Sequence, residues 1–85
     1  MKELYKLIED KIKTAGYPGM INGEEFYRDV SAEADEKENG TYLFIINKND
    51  SLFYKGCMTI MDEQFDLHFV EIHDGENVYH VDFDA

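Results

Sequence analysis

Apolar residues recur at helical spacing first. Leu4, Leu7, Ile8, Ile12 and Ala15 make one stripe, which predicts a helix over residues 3–15. Lys11 and Lys13 near its C-terminal end suit the helix dipole, and Gly16 with Pro18 shortly after supplies a left-handed stop. Residues 16–23, Gly-Tyr-Pro-Gly-Met-Ile-Asn-Gly, read as a connector dense in turn residues. From Thr41 onward the period shortens to that of strands. Strands are predicted at Thr41–Asn47, Leu52–Met61, Phe65–His73 and Val78–Phe83, with a bulge expected at Gly56. Asn39-Gly40, Lys48–Ser51, Asp62–Gln64 and Asp74–Asn77 are the turns. Every connection is short, so the strands should pair antiparallel in sequence order.

Residues 24–38 carry two patterns. Asn22 with Glu25 fits a capping box and Gly40 a stop, as for a second helix. Phe26, Val30, Ala32 and Ala34 also share one face of a strand, opposite Tyr27, Asp29, Ser31 and Glu33. Asp29, Val30 and Ser31 are poor helix formers, so a strand from about Glu25 to Ala34 is favoured, followed by a charged hairpin loop. The expected architecture is α+β: an N-terminal helix packed on a four- or five-stranded antiparallel meander. The whole chain, 1–85, reads as one domain.

Composition changes this picture in one respect. Nineteen Asp and Glu face eight Lys and Arg, a net charge of −11. The excess is uneven. Residues 1–15 are nearly balanced, whereas 56–85 hold no Lys or Arg at all. A field of one sign repels nucleic acid and anionic membranes and attracts basic protein surfaces. It also keeps a small protein soluble, which is the plainer reading. The single cysteine, Cys57, forbids an internal disulfide, and with no apolar leader at Met1–Lys6 the expected location is cytoplasmic. The longest apolar run, Leu43–Ile46, is far too short to cross a membrane.

Candidate chemistry is sparse. A four-residue loop at 74–77 would set His73 opposite Val78, Glu71 opposite His80 and Phe69 opposite Asp82. One face of that hairpin then carries His68, Val70, Ile72, Tyr79, Val81 and Phe83 towards the core. The other gathers Glu71, His73, His80 and Asp82, competent metal ligands but in no known spacing, so cross-strand pairing is preferred. Cys57 lacks a neighbouring base and reads as a buried strand residue. Gly16, Gly19 and Gly23 follow a helix, which excludes a phosphate loop. No cofactor, catalytic residue or metal site is assigned.

Two binding readings remain. Carboxylates at Asp62, Glu63, Asp66, Asp74, Glu76, Asp82 and Asp84, with a second group at Glu33, Asp35, Glu36 and Glu38, can stand in for phosphates before a basic groove. Small, acidic, motif-free chains of this kind include many phage and mobile-element inhibitors, anti-CRISPR proteins and other nucleic-acid mimics. The likeness is one of composition. Alternatively, the strands at 41–47 and 52–61 look apolar on both faces, so the segment at 17–30, a second subunit or a partner would cover what one helix leaves bare, unless 24–38 is itself a helix and covers it. In that case the chain is a structural module joined through a sheet face or an edge strand.

Overall fold

The computed structural model describes residues 2–35 and 37–84. Two helices, α1 (Lys2–Thr14) and α2 (Gly23–Ala34), precede four strands: β1 (Gly40–Asn47), β2 (Leu52–Met61), β3 (Gln64–Asp74) and β4 (Asn77–Asp82). The strands form one antiparallel sheet in the order β1-β2-β3-β4. The fold is α+β, with the helices packed on one face of a four-stranded meander. Among the described residues, no helix is long and apolar enough to cross a membrane.

The end of α1 is set by its glycine. Gly16 takes φ +97°, donates its N–H to the Lys13 carbonyl at 2.9 Å, and lets Tyr17 N–H reach the Ile12 carbonyl at 3.4 Å. This pair of reversed bonds is the Schellman arrangement, in which glycine avoids the Cβ penalty of left-handed backbone. It turns Tyr17 inward, where the ring is buried edge-on to Tyr79 and the hydroxyl donates to Asp74 Oδ2 at 2.9 Å. Burial, then that carboxylate, raises the Tyr17 pKa above its ordinary value of 10.0.

Residues 23–34 are a helix, which corrects the strand favoured for Glu25–Ala34. Asn22 caps it, its Oδ1 accepting the Glu25 N–H at 2.9 Å. The Glu25 carboxylate turns outward to Lys48 Nζ at 2.9 Å, and Asp29 joins the same ammonium at 2.6 Å. These bonds raise the Lys48 pKa, and Lys48 in turn lowers that of Glu25. Tertiary packing decides the segment. Phe26 and Val30, one turn apart, are buried, while Ala32, which a strand would have buried with them, is exposed. The apolar face of the sheet is wider than one helix can cover, so α2 lies beside α1 and completes it.

The core joins Ile8 and Ile12 of α1 with Phe26 and Val30 of α2. Beneath them lie Phe44, Tyr54, Met58, Ile60, Val70, Ile72 and Val81 from the sheet. Burial, above all, pushes the Tyr54 phenol up to about 12. The irregularity expected at Gly56 lies elsewhere. The ladder shifts between Cys57 and Met58, where Cys57 pairs with Phe69 and Met58 with Leu67, so the extra residue is His68 on β3. Gly56 instead makes room for Phe44, whose ring would lie 2.3 Å from a Cβ there.

Among the described residues, no helix lies on the other face of the sheet. Leu43, Ile45, Met61 and Val78 are exposed on it. Cys57, expected in the core, is half-buried on this side. The second helix therefore leaves the apolar outer surface anticipated from β1 and β2 uncovered.

Candidate functional site

The β2–β3 turn consists of Asp62 and Glu63, with φ of 53° and 69°. A two-residue hairpin whose turn residues both take positive φ matches strand twist, and Asn-Gly is the sequence that suits it. Here two carboxylates occupy those positions instead. Asp62 donates its N–H to Asn39 Oδ1 at 3.0 Å, which ties this turn to the α2–β1 connection. Gly40 pairs with Ile60, so the start of β1 lies beside the end of β2. Acidic segments far apart in sequence thus meet at one end of the molecule: Asp35 and Glu38 from one side, Asp62 and Glu63 from the other, while Glu33 lies apart from them, beside Leu43, Phe44 and Ile45 of β1. Glu36 lies outside the described residues. Between them runs a cleft of about 570 Å³ lined by Ser31, Ala34, Asp35, Lys37, Glu63 and Phe65. Lys37 is committed internally, its ammonium donating to the Glu33 carbonyl and lying 5.9 Å over the Tyr42 ring.

Glycine in place of Glu63 tests what the turn gives up. Left-handed backbone costs an ordinary residue about 1–2 kcal/mol. Added freedom of glycine in the unfolded chain takes back about 0.4–1 kcal/mol. Glu63→Gly should therefore stabilise the fold by about 0.5–1 kcal/mol, read as a rise in the urea midpoint at unchanged slope. A lower midpoint would mean that Glu63 makes a contact worth more than its backbone strain.

Asp66, Asp82 and Asp84 extend the same end onto the bare sheet face. The β-bulge re-aims His68, expected on the core side, onto this outer face. Its Nε2 lies 2.7 Å from Thr59 Oγ1, which lies 3.0 Å from Thr41 Oγ1, and its Nδ1 lies 2.9 Å from Asp84 Oδ2. A hydroxyl–imidazole–carboxylate row thereby crosses the sheet. Thr41 donating to Thr59, Thr59 to Nε2, and Nδ1–H to Asp84 satisfies the row with a neutral ring. Asp66, His68 and Asp84 bring ligand atoms within 4.8 Å of one another, the one such trio among the described residues. Both ring nitrogens already have oxygen partners, so the trio is satisfied without a cation. Asp82 Oδ1 accepts the Asp84 N–H at 3.0 Å, which folds the last described residues against β4.

The remaining sequence candidates fall elsewhere. Asp74 and Glu76 sit at the opposite end, and Asp74 is engaged by Tyr17. The register read for the last hairpin is present: His73 faces Val78, Glu71 faces His80 and Phe69 faces Asp82. Its histidines do not gather. His73 stacks on Phe53 at 4.5 Å with Nε2 3.1 Å from Glu71, and His80 stacks on Phe69 at 5.3 Å. Asn39, which joins the two acidic segments, was legible only as half of a turn dipeptide. Its side-chain role depends on a neighbour 23 residues away. Comparison with protein-family models, with curated proteins and with solved structures finds no match for this chain.

Proposed function

We propose that this chain is a non-enzymatic interaction protein whose acidic end occupies a basic groove of a nucleic-acid-handling protein, acting as its antagonist. The observation that carries this reading is the Asp62–Asn39 hydrogen bond, which fastens two carboxylate-bearing segments side by side. Carboxylates, like phosphates, are anionic oxygen acceptors, and the fork of an arginine engages either. A turn that keeps Asp and Glu where Asn-Gly would suit the backbone better fits selection for charge at that spot. The exposed row of Asp66 and Asp84 lengthens the acidic surface along the sheet.

The test is capture from nuclease-treated lysate on the immobilised protein, with elution by a salt gradient and, separately, by added duplex DNA. A nucleic-acid-binding protein that leaves with rising salt, is displaced by DNA, and is held less well by an Asp62→Asn, Glu63→Gln, Asp66→Asn variant is the expected result. A partner indifferent to salt, to DNA and to those three substitutions sinks the proposal.

A further inference from the structure

We infer that the cleft between the end of α2 and the β2–β3 hairpin is an arginine pocket, filled by one side chain of the basic partner. The inference rests on the reading of the acidic end as a seat for a basic groove. It adds which contact gives that seat a preference among cations.

The cleft is built from a helix end and a hairpin end. α2 stops at Ala34, and Asp35 leaves the helix with ψ 141° while donating its N–H to the Ser31 carbonyl at 3.0 Å. Facing this stop are the outermost pairs of the hairpin, Ile60 with Phe65 and Met61 with Gln64, followed by the turn at Asp62 and Glu63. Ser31 and Ala34, one turn apart on α2, are small side chains and leave about 570 Å³ open between the two elements. The floor is apolar. Ile60 is 4% exposed, and the Phe65 ring is held against Tyr27 with centroids 5.7 Å apart. The rim is acidic, with Asp35 on the helix side and Glu63 on the hairpin side, both exposed. None of the ion pairs among the described residues uses either carboxylate.

Charge and shape together choose the occupant. Two carboxylates stand where α2 presents its negative end, and the last turn of that helix has no basic residue. Lys37 is the one basic group of the lining among the described residues, and its ammonium is taken by the Glu33 carbonyl and the Tyr42 ring. The cleft therefore favours a cation. Its floor favours one that brings apolar surface with it, which a hydrated metal ion does not. Phe65 separates arginine from lysine. A guanidinium is planar and weakly hydrated, so it can lie on a ring while its N–H groups fork to carboxylates, whereas an ammonium is a strongly hydrated point charge. The net charge of −11 draws a basic surface to the same place.

NMR titration of the backbone amides with two blocked tripeptides, acetyl-Gly-Arg-Gly-amide and acetyl-Gly-Lys-Gly-amide, tests the inference. The expected result is saturable shifts at Ser31, Ala34, Gln64 and Phe65, with arginine bound about two- to fivefold more tightly than lysine. Phe65→Leu should remove that preference. Ala34→Leu fills the cleft without altering a charge and should abolish saturation by either peptide. Glu63→Gln should weaken binding, whereas Glu76→Gln, the same change of charge at the opposite end, should not. Both glutamates are exposed, so this pair keeps the test sound if a cleft variant loses its native circular dichroism spectrum. Equal affinity for the two peptides, shifts spread over the whole acidic surface, or binding that ignores Ala34→Leu and Glu63→Gln would overturn the inference. The capture experiment could still succeed in that case, through the surface carboxylates alone. Displacement of the arginine peptide by a lower concentration of spermidine would overturn the choice of occupant in favour of a free polyamine. Selective arginine binding in the cleft without a captured nucleic-acid-binding protein would support the pocket and count against the broader reading.

Discussion

Gly23→Ala should cost the fold about 3 kcal/mol, although alanine is the better helix former. A Cβ at Gly23 would lie 2.1 Å from the Tyr5 carbonyl oxygen and 2.8 Å from its carbon. Both atoms belong to the backbone of α1, so no side chain can swing aside. The helices must separate, and overpacking of this kind costs about 1–3 kcal/mol or more. Helix propensity returns at most about 1 kcal/mol, less at the first turn than in an interior. The clash therefore wins. Separation would also stretch the bond from Gly23 N–H to Glu9 Oε2, now 2.8 Å, which anchors the start of α2 to α1. Urea unfolding of Gly23→Ala beside Glu24→Ala measures the effect. Glu24 is exposed one residue further on and should shift stability by no more than about 0.5 kcal/mol. Equal midpoints for the two variants would show that the helices do not approach so closely.

Phe26→Ala should cost about 3–5 kcal/mol, the usual loss for a large aromatic side chain removed from a packed site. Phe26 is 1% exposed and lies between Tyr54, with ring centroids 5.5 Å apart, and Phe83 at 6.0 Å. It joins α2, the centre of the sheet and the segment after β4 in one contact. A domain of this length has about 4–13 kcal/mol in total, so the variant gives up a large share of it. Ala32→Lys supplies the contrast. A helix leaves Ala32 in solvent and predicts a change within about 0.5 kcal/mol, whereas a strand at Glu25–Ala34 would bury the lysine beside Phe26. A mild Phe26→Ala together with a severe Ala32→Lys would reverse the assignment of α2.

These two sites show where sequence reasoning stopped. The four strands were legible because their turns are chemically marked and their alternation is local. Predicted and observed limits agree within a residue at each end, and for Leu52–Met61 they coincide. The end of α1 was legible for the same reason, since Gly16 is needed wherever the chain must turn left-handed. For α2 two periods overlapped, because Phe26, Val30 and Ala34 fall on one face of a helix and of a strand alike. Weak local propensity at Asp29–Ser31 favoured the strand, and burial of Phe26 and Val30 against the sheet, beside α1, overrode it.

The candidate site divides in the same way. Charge, its one-sided distribution and the carboxylates themselves are properties of composition, and the sequence alone determined them. It also determined the α+β class, the strand order and the register of the last hairpin, because adjacent antiparallel strands with short turns leave few alternatives. Only the tertiary structure decided which carboxylates share an end, since the Asn39–Asp62 contact joins residues far apart in the chain. The same holds for His68. A single extra residue in β3 reverses the face of its side chain, and strand alternation cannot announce such a slip. The bare outer face was decided there too. Both helices lie on one side because one helix is too narrow for the sheet, and width is a property of the assembled sheet rather than of any segment in it.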